Sequence, residues 1–83
     1  MNAGFNFIAG LFNNAVQTVT KVNNLPVKAY KVRVNGNIAI IESLWESKLG
    51  CLYGTRDVRT IVPSKMQLNR LQKFGFESFV YED

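Results

Sequence analysis

The first two dozen residues carry the longest periodic pattern in the chain. Phe5, Ile8, Phe12, Val16 and Val19 recur at steps of three and four residues, with Leu11, Ala15 and Val22 widening the stripe. This is the spacing of one apolar face on a helix, and it predicts a long amphipathic helix over Asn2–Asn23. The opposite side collects Asn6, Gly10, Asn13, Asn14, Gln17, Lys21 and Asn24, a surface of uncharged amides with no acid. Such a segment is a weak helix by itself, because Asn, Val and Thr are indifferent helix formers and Gly10 costs about 1 kcal/mol relative to Ala. It therefore has to dock on its own sheet, on another chain or on a membrane.

After Asn23-Asn24-Leu25-Pro26, a helix-ending sequence, the period changes from 3.6 to 2. Tyr30, Val32 and Val34 alternate with Ala29, Lys31 and Arg33, which predicts a strand with the apolar set inward and the basic pair outward. Asn35-Gly36-Asn37 is a hairpin signal, since glycine supplies the positive φ of a tight turn. A two-residue loop would pair Val34 with Asn37. A three-residue loop would pair Val34 with Ile38 and Val32 with Ile40, and gathering the large apolar groups on one face favours it.

The next strand runs from Ile38 to about Trp45, apolar on both faces over Ile38–Ile41. Glu46-Ser47-Lys48 reads as a turn, Leu49–Tyr53 as a short strand, Gly54-Thr55-Arg56-Asp57 as a loop and Val58–Val62 as a continuation of that strand or a fourth one. Ser64 with Gln67 three residues on has the capping-box pattern, and Met66, Leu68, Leu71 and Phe74 give a second, short helix an apolar side before Gly75 ends it. Phe76–Tyr81 alternates Phe76, Ser78, Val80 against Glu77, Phe79, Tyr81, an edge strand closed by Glu82 and Asp83. The expected fold is α+β: a long N-terminal helix, an antiparallel sheet of three to five strands built on the hairpin, a short helix near 64–74 and a C-terminal edge strand.

A chain of 83 residues has room for one domain with a modest core, so docking or self-association of the first 24 residues is an open option. No apolar run reaches the 18 or more residues of a spanning helix. The N-terminal patch has no basic residue before Lys21 and is interrupted by Asn6, Asn13 and Asn14, so it reads as mature structure rather than a secretory signal. The single Cys51 cannot form an internal disulfide and fits a reducing, cytoplasmic compartment as a small buried hydrophobe. The net charge of +4 is uneven. Residues 1–41 hold Lys21, Lys28, Lys31 and Arg33 with no acid, whereas the bases and acids of residues 42–83 balance.

Chemistry is sparse. There is no His, and Glu42 and Glu46 lack the partners of an acid–base or metal centre. Gly50-Cys51-Leu52-Tyr53-Gly54 lacks the Lys and following helix of a nucleotide loop. No cofactor, metal or catalytic residue is expected. The candidate anion or nucleic-acid contacts are Lys28, Lys31, Arg33, Arg56, Arg59 and Lys65, with Arg56, Asp57 and Arg59 reading either as a surface ion-pair cluster or as a phosphate-contacting loop.

The candidate protein interface is Phe5, Ile8, Phe12, Asn13 and Gln17 on the helix, with Trp45 and Tyr53 as exposed anchors. For Phe5, Phe12, Phe74, Phe76 and Phe79 the core is the default reading, against which the interface reading of Phe5 and Phe12 stands. The α-β-β-β-α order is similar to that of double-stranded-RNA-binding domains, but here the second helix opens Pro63-Ser64-Lys65-Met66 with a single base and the first presents Asn and Gln, so no functional residue carries over. A non-catalytic interaction or assembly module, bound to another protein or to its own copies, ranks first; this class includes small virion or complex components and inhibitors. A basic nucleic-acid-binding domain comes second, and a membrane-surface protein last, because the helix lacks the Lys and Arg that attract anionic lipid.

Overall fold

The computed structural model describes residues 3–15, 19–20, 25–46 and 53–82. Helix α1 (Ala3–Asn14) is followed by β1 (Val19–Thr20), β2 (Ala29–Asn35), β3 (Ile38–Glu46), β4 (Tyr53–Ile61), helix α2 (Lys65–Gln72) and β5 (Glu77–Tyr81). The strands form one antiparallel sheet in the order β1-β4-β3-β2-β5. Both helices pack against the same face of it, and the α+β architecture stands as expected.

The core lies between that face and the helices. Phe5, Ile8, Leu11 and Phe12 of α1 meet Tyr30, Val32 and Val34 of β2, Ala39 and Ile41 of β3 and Val80 of β5, with Leu71 entering from α2. Burying the four α1 side chains contributes roughly 6–12 kcal/mol before chain entropy, which is how a segment of weak propensity holds its helix. The Tyr30 ring sits 5.1 Å from Phe5 and 5.4 Å from Phe12, both tilted.

Four features differ from the sequence expectation. First, α1 ends at Asn14, and Val19–Thr20 pairs with Val58 and Asp57 as a strand. The 3.6-residue spacing of Val16 and Val19 continued the helical stripe, but β-branched residues favour extended backbone. Residues 2, 16–18 and 21–23 of the expected helix lie outside the described residues.

Second, the hairpin has neither anticipated register. Asn35 pairs with Ile38, Val34 with Ala39 and Val32 with Ile41 around a two-residue turn at Gly36-Asn37. Gly36 has φ of 62° and Asn37 a negative φ, the pattern of a II′ turn with glycine first. Ala39 and Ile41, not Ile38 and Ile40, therefore face the helices.

Third, Gly54–Asp57 is not a loop. Tyr53–Ile61 is one continuous strand, bent by a bulge where Ser43 pairs with Asp57, Leu44 with Thr55, and Arg56 is the extra residue. The expected strand at 49–52 and Cys51 lie outside the described residues. Fourth, Met66 is exposed, as it lies across the helix from Leu68 and Leu71.

The second helix otherwise follows its sequence signals. Ser64 Oγ accepts from the Gln67 backbone N–H at 3.2 Å, and the Ser64 N–H donates to Gln67 Oε1 at 2.9 Å. Gly75 follows the helix with φ of 89°, a conformation that a side chain would strain. Gly54 has a different reason: the Trp45 ring lies against it across the strand pair, so a Cβ there would meet ring atoms at 2.7–2.9 Å. Gly54→Ala is expected to cost about 1–3 kcal/mol through that overlap. A lower urea midpoint, read from the fluorescence of Trp45, the single tryptophan, is the measurement.

Candidate functional site

Two clusters concentrate the chemistry-bearing side chains. The first is largely buried. Asp57 and Arg59 project from β4 onto the helix-covered face, opposite Ser43 and Ile41. Arg59 Nε and Nη2 both lie 3.0 Å from Asp57 Oδ2, and Asp57 is 2% exposed.

The Arg59 guanidinium also donates from Nη1 to the Phe12 carbonyl at 2.6 Å and to the Ala15 carbonyl at 3.5 Å, and it lies 4.1 Å over the Phe12 ring. Helix α1 has no basic residue in its last turn. Arg59 supplies one from the sheet, satisfying end carbonyls and complementing the negative end of the helix dipole. Burial pushes the Tyr30 hydroxyl above its ordinary value of 10.0, with the Arg56 and Arg59 charges pulling the other way. Tyr30 is 3% and Asp57 2% exposed, while the Arg59 side chain keeps 15% of its surface in solvent, so the cluster is bound mainly within the chain and works as a clamp. The expected surface ion pair or phosphate-contacting loop is thus corrected for Asp57 and Arg59, because strand alternation turns both side chains inward.

The second cluster lies on the sheet face that no described helix covers. Alternation along β5 sends Val80 into the core and Phe79 and Tyr81 outward, 49% and 44% exposed, with rings stacked at 6.4 Å and 20°. On β2, Lys31 stands opposite Phe79, its Nζ 5.9 Å from the ring centre, and Arg33 stands opposite Glu77 in a 3.3 Å ion pair. On the neighbouring β3, Glu42 pairs with Lys31 in register and accepts from the Thr55 hydroxyl. Ile38 and Ile40 are half-buried on the same face, and Ala29 and Leu44 are buried at its other end. An aromatic pair is thus flanked on its β2 side by charges of both signs.

The remaining candidates scatter. Phe5, Ile8 and Phe12 are at most 9% exposed within the chain's own core, so they are corrected from interface to core. Asn13 is exposed on α1, and Gln17 lies outside the described residues. Trp45 is half-buried over Gly54, and Tyr53 opens β4. Lys28 bridges to Glu82 at 3.6 Å, Arg56 sits at the bulge and Lys65 is exposed at the start of α2, so the six bases do not share a surface.

Phe76 and Phe79, assigned to the core, are exposed. The β5 alternation was readable from the sequence, but which face the helices leave open was not. A groove of about 280 Å³ between α1 and the end of β4 is lined by Leu11, Asn14, Thr60 and Gln67 among others and has no ionisable side chain. Among the described residues no group of His, Cys, Asp or Glu could hold a metal ion, and no helix is long and apolar enough to cross a membrane. Compared with protein-family models, curated proteins and solved structures, the chain matches none.

Two predictions concern the buried clamp. Asp57→Ala, which strands the Arg59 charge, is expected to destabilise by about 3–5 kcal/mol. Adding Arg59→Met should recover part of that loss; simple additivity in a urea double-mutant cycle would show the two do not act as a pair.

Because the folded state holds the Tyr30 proton more tightly than the unfolded chain, its contribution is complete below pH 10 and is lost as pH rises through the higher folded value. Stability should therefore fall more steeply between about pH 9 and pH 11 in the wild type than in Tyr30→Phe. Parallel slopes in urea titrations would remove Tyr30 from the account.

Proposed function

We propose that this chain is a non-catalytic binding module that docks another protein on the open face of its sheet, around Phe79 and Tyr81, rather than on its N-terminal helix. The observation that carries this reading is the stacked, exposed aromatic pair on a sheet face no described helix covers. Exposed aromatic side chains beside polar groups are the composition of a protein contact surface, since ordered rings gain area at small entropic cost. Lys31 and Arg33 are matched by Glu42 and Glu77 on the same face, and this balance suits a protein partner better than a polyanion.

A nucleic-acid reading comes second, favoured by Lys31 standing over Phe79, an arrangement on which a base could stack. The lone Cys51 fits a reducing compartment.

The test compares proteins retained from native cells by the tagged wild type, by Phe79→Ser/Tyr81→Ser and by Asn13→Glu, with circular dichroism as the check on folding. We expect at least one partner held by the wild type and by Asn13→Glu to fall about tenfold or more with the double serine variant. Identical sets for all three would overturn the reading. Oligonucleotide binding at about 50 mM salt that collapses by orders of magnitude at about 200 mM would transfer the conclusion to nucleic acid.

A further inference from the structure

Strand β5 is the outermost strand of the sheet, paired with β2 on one side and with no strand on its other side among the described residues. Which backbone groups it turns outward follows from its ladder. The Val34 N–H donates to the Phe76 carbonyl at 2.9 Å and the Glu82 N–H to the Lys28 carbonyl at 3.0 Å. In an antiparallel pair the bonded residues alternate, so Phe76, Ser78, Val80 and Glu82 face β2 while the backbone groups of Glu77 and Phe79 point away from it.

This edge has few of the usual protections: its charges are Glu77 at the first position of the strand and Glu82 and Asp83 after its last. Outer strands are normally kept from pairing by an internal Lys, a Pro, a bulge or extreme shortness. The other edge has such devices: β4 carries a bulge at Arg56 and is partly covered by the two-residue β1. β5 reads Glu-Ser-Phe-Val-Tyr, with no bulge, no Pro and no base, and Phe79, whose backbone groups point outward, also has its ring exposed on the open face.

We propose that β5 pairs antiparallel with β5 of a second copy of this chain, about a two-fold axis through Phe79, joining the two sheets into one. This rests on the proposed use of the Phe79 side of the sheet and names the partner as the chain itself. The sequence is self-complementary in that register. Phe79 meets Phe79, and Glu77 falls opposite Tyr81 of the other copy, so no like charges stand across from each other. Glu77 keeps its own Arg33, and Glu82 its own Lys28, both on the β2 side. The two stacked rings of each copy then run on into those of the other, which withdraws the exposed aromatic surface from water.

Sedimentation of the full chain over a concentration series decides it. The wild type is expected to move from 9.4 kDa toward twice that mass. Because residue 79 faces itself across the axis, Phe79→Lys and Phe79→Glu should each stay monomeric at concentrations where the wild type is dimeric, and an equimolar mixture of the two should regain the dimer.

A second measurement needs no variant. The Phe79 amide of the wild type should exchange with solvent faster in dilute than in concentrated samples. A wild type that remains monomeric to about 1 mM overturns the self-pairing and leaves the sheet-face reading to its own partner-capture test. Dimeric single variants, a mixture that fails to associate, or a Phe79 amide indifferent to concentration also overturn it.

Discussion

The fold depends on one arginine reaching from the sheet to the end of a helix. Arg59 closes the C-terminus of α1, covers the Phe12 ring and neutralises Asp57, so it connects β4 to an element more than 40 residues away in the chain. The cost of burying the guanidinium is offset by two donors to carboxylate, two to helix-end carbonyls and a ring beneath it. The arrangement is not saturated, because Asp57 Oδ1 is buried with no hydrogen-bond partner among the described residues. A polar device of this kind fixes where the helix stops and which way it lies, which an apolar contact of equal area would leave less defined.

That placement sets the character of the two sheet faces. With α1 and α2 on one face, apolar side chains of the chain's own helices fill it, and the other face is left with whatever alternation sends there. It receives Lys31, Arg33, Glu42, Glu77, Phe79 and Tyr81. Four charges of balanced sign and two exposed rings therefore share it. The surface is a consequence of folding a strand pattern against a one-sided helical layer, as in many antiparallel sheets.

Local signals were most legible where a residue acts on its immediate neighbours. The Ser64–Gln67 capping box, the glycine after the second helix, the inward Tyr30, Val32 and Val34, and the existence of a turn at Gly36 all follow from short-range chemistry. Long-range pairing was less legible. The helical stripe ran on to Val19 in the sequence, yet Val19–Thr20 pairs with β4, because ladder hydrogen bonds offered by another strand outweigh a weak local helix preference. Arg56, Asp57 and Arg59, flanked by Gly54 and Thr55, had the look of a loop until the bulge in β4 gave them strand geometry. The hairpin register moved by one turn position, which exchanged Ile38 and Ile40 for Ala39 and Ile41 in the core.

The sequence by itself determined the α+β class, the order of most elements, the apolar sides of the helices and the alternation in β2 and β5. These depend on periodicity and on the φ preferences of single residues, which need no partner to be expressed. Only the tertiary structure decided that the α1 stripe belongs to the chain's own core, that Arg59 turns inward to Asp57 and the end of α1, and that Phe79 and Tyr81 lie on the face no described helix covers. Each of these depends on which surface lies across from a given side chain, and an amphipathic pattern states that a face must be buried without stating what buries it.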